Sequence, residues 1–162
     1  MPEYIELTAD QVVEKYADTV YRLAYAKTLS RHDADDVFQE VFLRYVRKAP
    51  SFESEEHRKA WLIRVTLNCA KNALTHPSRT ELSIEDTELP TDGGYDGLDE
   101  AEAVRTAMGS LPEKYRDALY LFYCEELSVA EVAKALGTTQ GNVKVRLNRG
   151  REMLKGLLEK GA

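Results

Sequence analysis

The stretch from Leu127 to Arg149 constrains the fold of this chain more than any other. Ser128 followed three residues later by Glu131 forms a capping box, which starts a short helix. Val129, Val132, Ala133 and Leu136 then recur at helical spacing. Gly137 supplies the backbone freedom that a tight inter-helix turn needs. Thr139 is placed to cap a second helix, with Val143, Leu147 and Leu154 facing inward. Its outward face carries Asn142, Lys144, Val145, Asn148, Arg149 and Arg151. The whole reads as a helix-turn-helix, because a helix presenting amides and cations fits the major groove and its base edges. The alternative for this stretch alone is an ordinary helical hairpin with a solvated basic face.

A net charge of −6 sits oddly with nucleic-acid binding until its distribution is read. Nine acidic residues and no basic one lie between Glu81 and Val104, and outside that stretch the balance turns positive. From Ser128 onward, seven basic residues face three acidic ones, so the positive charge coincides with the helix-turn-helix. No apolar run approaches the roughly 20 residues that span a membrane, and the acidic N-terminus lacks the pattern of a signal peptide. Cys69 and Cys124 are far apart and read as small buried apolar residues in a reduced compartment. His32, His57 and His76 read as surface side chains with no metal-ligand spacing among them. These features describe a soluble, cytoplasmic protein with no membrane insertion.

Strand signals are almost absent, and the chain reads as all-α. Thr8 with Gln11 begins a helix to about Leu29, with Val13, Tyr16, Ala17, Val20 and Leu23 on one face. Asp33 with Asp36 begins a second, to about Lys48, burying Val37, Phe38, Val41 and Tyr45. Ala49-Pro50-Ser51-Phe52 breaks the pattern. A third runs from about Glu55 to Leu74 on a stripe of Leu62, Val65, Cys69 and Ala73, and His76-Pro77-Ser78 ends it. Residues 77–97, poor in apolar side chains, read as a flexible acidic linker. This gives two small helical domains, 1–76 and 98–162. In the second, Pro112 stands in the first turn of a helix to about Cys124.

Three stretches now match a known pattern in the same order. The first is residues 33–44, from Asp33 to Arg44, and the second residues 60–72, from Ala60 to Asn72. Leu111-Pro112-Glu113-Lys114-Tyr115-Arg116 and the helix-turn-helix complete the series. The chain resembles a bacterial RNA polymerase sigma factor of the small, extracytoplasmic-function type. The resemblance implies a sigma region 2-like domain at 1–76, for core binding and for recognition and melting of the −10 element. It implies a region 4-like domain at 98–162 for the −35 element. Implied partners are core RNA polymerase, through the coiled coil of its largest subunit and the flap of its second-largest, promoter DNA, and an anti-sigma factor. No catalytic activity, cofactor or metal is expected.

The residues themselves suit those roles. Asp36, Gln39, Glu40 and Arg44 point away from the apolar stripe of the second helix, and the resemblance implies that this face docks polymerase. Clustered carboxylates also occur in metal enzymes, but no histidine is expected to join them here. On the third helix, His57, Trp61, Arg64, Asn68 and Lys71 share one face. Cations for phosphates with an aromatic ring and an amide are what single-stranded DNA requires. The resemblance implies a −10 base unstacked beside Asn68 and the loop near Phe52, although Trp61 and Phe52 are equally at home in a core. Lys144, Val145, Asn148 and Arg149 are expected to read the −35 element, with Arg146 and Arg151 holding phosphates. Val145 departs from the small polar residue common in the family at this position and suits a thymine methyl. Gly150 stands within a helix where Ala is the better former by about 1 kcal/mol. The competing reading is a stand-alone helix-turn-helix regulator that dimerises through its first domain, with a palindromic operator bound in the absence of polymerase.

Overall fold

A computed structural model describes residues 7–75 and 98–160, which fall into two compact units. The described residues contain helices and no strand. The acidic stretch 77–97, the start of the chain and His76 lie outside them.

The first unit packs three helices: α1 (Ala9–Thr28), α2 (Arg31–Lys48) and α3 (Glu55–Thr75). The Thr8–Gln11 capping box begins α1, with the Gln11 amide donating to Thr8 Oγ1 at 3.1 Å and the Thr8 amide to Gln11 Oε1 at 2.9 Å. Such caps contribute about 1 kcal/mol each. The buried stripe runs through Val12, Tyr16, Val20, Leu23 and Ala24, so Val12 takes the place expected for Val13, and Ala17 stays half-buried. The second helix starts two residues before Asp33. Ser30 is its cap, its Oγ accepting from the Asp33 amide at 3.1 Å, and Asp33 and Asp36 stand within the helix. Here Phe42 is buried and Phe38 half-buried, packed edge-on at 5.0 Å between ring centres. Ala49 closes α2 in the left-handed region (φ 42°), where the expected break falls.

Polar groups fix α3 against α1. Arg58 is 1% exposed, bonds the Glu55 carboxylate and lies 5.3 Å over the Phe52 ring. The same carboxylate accepts from the Tyr16 hydroxyl of α1 and stands 3.5 Å from Lys15 Nζ. Leu62, Ile63, Thr66, Cys69 and Ala70 are buried, and the expected Val65 and Ala73 are half-buried at the edge of the same core. Thr66 is accommodated by donating to the Leu62 carbonyl at 2.6 Å. Phe52 and Trp61 join this core: both rings pack around Tyr45 at centroid distances of 6.2 and 5.8 Å.

The second unit contains α4 (Leu98–Ser110), α5 (Glu113–Leu119), α6 (Val129–Leu136) and α7 (Gln140–Lys160). Pro112 is the cap residue of α5 and stands one position before the first turn. The helix expected to reach Cys124 ends at Leu119 and passes into a π-helical turn, Tyr120–Cys124, closed by the Glu125 amide on the Tyr120 carbonyl at 3.2 Å. Both capping signals of the helix-turn-helix are present. The Ser128–Glu131 box begins α6, Gly137 ends it at φ 68°, and Thr139 Oγ1 accepts from the Asn142 amide at 3.1 Å. Val132, Ala133, Val143 and Leu147 are buried, with Val129, Leu136 and Leu154 half-buried around them.

Gly150 has a packing role. A Cβ built there meets the Leu119 side chain at 3.0 and 3.2 Å and Tyr115 Cβ at 3.4 Å, so glycine lets α7 pass close to α5. Gly156, on the same helix, has nothing within 4 Å of such a Cβ. Gly156→Ala should therefore gain up to about 1 kcal/mol of stability from helix propensity. Gly150→Ala should gain nothing, because crowding Leu119 costs about 1–3 kcal/mol. Urea unfolding of the full chain, with each variant compared to the parent, checks the contrast; equal stabilisation by both would refute the close-packing role.

Candidate nucleic-acid interface

Burying one face of α3 against α1 and α2 leaves the opposite face to solvent. His57, Arg64, Asn68 and Lys71 are exposed along it at spacings of one to two turns. Trp61 falls on the same line but is half-buried, its ring 6.0 Å from Phe52. His57 packs edge-on against Phe52 at 5.2 Å, and its Nδ1 lies 3.4 Å from the Glu53 amide. The face therefore presents two cations and an amide along the helix beyond an aromatic cluster at its start. This arrangement suits phosphates flanking an unstacked base.

On α7, Asn142, Lys144, Val145, Asn148, Arg149 and Arg151 are exposed, and Arg146 is half-buried. Several of these side chains have partners within the protein. Asn142 donates to Thr138 Oγ1 at 2.9 Å and so belongs to the inter-helix turn. The Arg149 guanidinium, with the nearby Lys114, draws the Tyr115 phenol below its ordinary pKa. Arg151 donates to the Tyr123 hydroxyl at 2.8 Å and to Asn148 Oδ1 at 2.6 Å. Tyr115 stands in the Leu111–Arg116 stretch and Tyr123 carries no sequence signal; both reach α7 across the tertiary fold, and no local spacing signals the contact.

A third surface lies on α2. Asp36 and Gln39 are exposed, while Glu40 and Arg44 are half-buried and paired, Arg44 Nε donating to Glu40 Oε2 at 2.8 Å. That bond raises the Arg44 pKa further. Leu43 and Val46, 49% and 60% exposed, continue the line from Gln39, so the acidic face carries an apolar strip. His32 also stands here, its Nε2 3.5 Å from Asp36, with Asp33 in the same cluster. The expectation that no histidine joins these carboxylates is thus corrected: capping by Ser30 brings His32 into the helix one turn before Asp36. The group is solvent-exposed at His32 and Asp36, as helix-surface pairs commonly are.

Of the two cysteines, Cys69 is buried as expected, and burial pushes its thiol pKa up. Cys124 is exposed, against expectation, because the π-helical turn carries it out of the core. Partial covering of its sulfur, then the Glu125 carboxylate, also raises its thiol. No helix among the described residues is long and apolar enough to cross a membrane.

Comparison with known proteins gives the family. The family described as Sigma-70 region 2 matches residues 12–80, and Sigma-70, region 4 matches residues 101–154. The ECF RNA polymerase sigma factor SigE of Mycolicibacterium smegmatis is 32% identical over 165 residues, covering 93% of this chain and 62% of that protein. The ECF RNA polymerase sigma-E factor of Haemophilus influenzae is 30% identical over 163 residues, covering 91% of this chain and 86% of the relative. The fold is shared with the sigma factor RpoE of Bartonella quintana, solved in complex with the anti-sigma factor NepR, at a TM-score of 0.70 and 22% identity over 93% of this chain and 96% of that one. The chain belongs to the sigma-70 family and is an extracytoplasmic-function RNA polymerase sigma factor, a protein that directs promoter-specific transcription.

Proposed function

We propose a division of labour among the three exposed surfaces. The face of α2 formed by Asp36, Gln39, Glu40 and Arg44 docks the coiled coil of the polymerase largest subunit, with Leu43 and Val46 supplying the apolar contact that a charged face alone lacks. The face of α3 bearing Arg64, Asn68 and Lys71 receives the −10 element, Asn68 bonding a base edge and the two cations holding phosphates. The outward face of α7 reads the −35 element through Lys144, Val145, Asn148 and Arg149, with Arg146 and Arg151 on phosphates. The observation that supports this most directly is the exposure of Arg64, Asn68 and Lys71 on one helix and of Lys144, Val145, Asn148 and Arg149 on another, in two separately packed units. The protein makes no RNA itself: the polymerase supplies catalysis, in the cytoplasm, and this subunit supplies promoter choice and strand opening. An anti-sigma factor is a further proposed partner, by analogy with the NepR complex, and the flap of the second-largest subunit is the proposed contact for residues 98–162.

Replacing Asp36, Gln39 and Glu40 together with Ala should weaken binding to core polymerase while leaving helicity unchanged, since Asp36 and Gln39 are exposed and Glu40 pairs with Arg44 along its own helix. Co-purification with core polymerase, alongside circular dichroism, measures both. Binding as tight as the parent's would remove α2 from the docking assignment.

Asn68→Ala should leave duplex −35 binding unchanged, because that belongs to the other unit. It should reduce open-complex formation and blunt discrimination at one base of the −10 element, by about 1–3 kcal/mol for a bidentate contact. Permanganate footprinting and runoff transcription on −10 variants give the readout. An unaltered variant would take Asn68 out of base recognition.

A further inference from the structure

The tether on Arg151 has a consequence for what α7 reads. One terminal nitrogen of its guanidinium donates to Tyr123, presented 53% exposed by the π-helical turn, and the other donates to Asn148 Oδ1. A guanidinium offers donors alone, so the Asn148 atom facing it is the carbonyl oxygen, however the amide is drawn. The Asn148 NH2 is thereby turned away from Arg151 and is left to donate. Pairing with adenine uses both ends of an asparagine amide, the oxygen accepting from N6 and the nitrogen donating to N7. With the oxygen engaged, a base edge that presents an acceptor is the better match. Val145 stands three residues before Asn148 on the outward face and is 44% exposed, so an apolar surface adjoins the donor. Thymine is the one base whose major-groove edge offers an acceptor, O4, next to a methyl group.

We propose that Tyr123 and Arg151 are positioning residues that hold Asn148 as a hydrogen-bond donor, and that Val145 and Asn148 together select one thymine of the −35 element. This rests on the assignment of α7 to that element. Arg151 uses one N–H of each terminal nitrogen in these two bonds and keeps its remaining donors for a phosphate.

The test uses holoenzyme assembled from core polymerase and the full chain. Each −35 thymine, on either strand, is replaced in turn by uracil, which lacks only the methyl, or by 5-methylcytosine opposite guanine. The latter keeps the methyl and exchanges the O4 acceptor for an N4 donor. At one position, binding should fall several-fold with uracil and roughly tenfold with 5-methylcytosine. Val145→Ala should equalise thymine and uracil there. Asn148→Asp, which still accepts from Arg151 but loses the donor, should invert the preference toward 5-methylcytosine. Tyr123→Phe should shrink the thymine preference several-fold while leaving binding to unrelated DNA and its salt dependence as in the parent. Indifference to both analogues at every thymine, with other −35 changes still weakening binding, would overturn the thymine assignment. A Tyr123→Phe holoenzyme with the parent's preference would overturn the positioning role. If Lys144→Ala, Val145→Ala, Asn148→Asp and Arg149→Ala all left −35 dependence intact, the assignment of α7 would itself fail, and that outcome is distinct from the other two.

Discussion

The Glu55 carboxylate is the point about which the first unit is organised. It accepts from Tyr16 of α1, pairs with the buried Arg58 and stands near Lys15. Burying a guanidinium costs several kcal/mol unless it is paired and hydrogen-bonded, so the position of Arg58 commits Glu55 to stay where it is. Arg58 in turn lies against Phe52, and Phe52 stacks on Tyr45 of α2, which ties all three helices together at one end. Fixing that end fixes the rotation of α3 about its axis. The rotation decides which residues of α3 meet the core and which meet solvent, and it leaves Arg64, Asn68 and Lys71 outward.

The second unit solves the same problem with shape in place of charge. Gly150 lets α7 approach Leu119 and Tyr115 of α5, while Val143 and Leu147 bury the inner side of its first three turns. A bulkier residue at 150 would push α7 away from α5 and shift its outward face relative to α6. In both units a long helix is held firmly on one side so that its other side can be polar. Single exposed cations add little to stability.

Much of this was legible in the sequence, for local reasons. Thr8 with Gln11, Ser128 with Glu131, Gly137 and Thr139 act within four residues of themselves, and each stands where its spacing places it. The start of α2 was misplaced because two acids at i and i+3 resemble a capping box, whereas Ser30 supplies the hydroxyl. Neighbouring apolar residues such as Val12 and Val13 differ by about 100° around the helix, and only packing against α2 and α3 decides between them. Arg58, the π-helical turn and the reach of Tyr123 to Arg151 were not legible at all. Arg58 pairs locally with Glu55, but its burial depends on Tyr16, 39 residues from Glu55, docking on the same carboxylate; the turn is a register change in the backbone, and Tyr123 meets Arg151 28 residues on. Gly150 read as a weak helix former for the same reason: the propensity is local, but the neighbour that requires glycine is 31 residues away.

Central to the proposed function is that this chain gives core polymerase its choice of promoter through two separate base-reading helices. Runoff transcription of fragmented genomic DNA by core polymerase, with and without the full chain, followed by sequencing of the transcripts, tests it most directly. The predicted result is a set of start sites that require the chain and share two sequence blocks, near −10 and near −35, with Asn68→Ala relaxing only the first block and Lys144→Ala only the second. Start sites unchanged by the chain, or a single shared block relaxed by both substitutions, would contradict it.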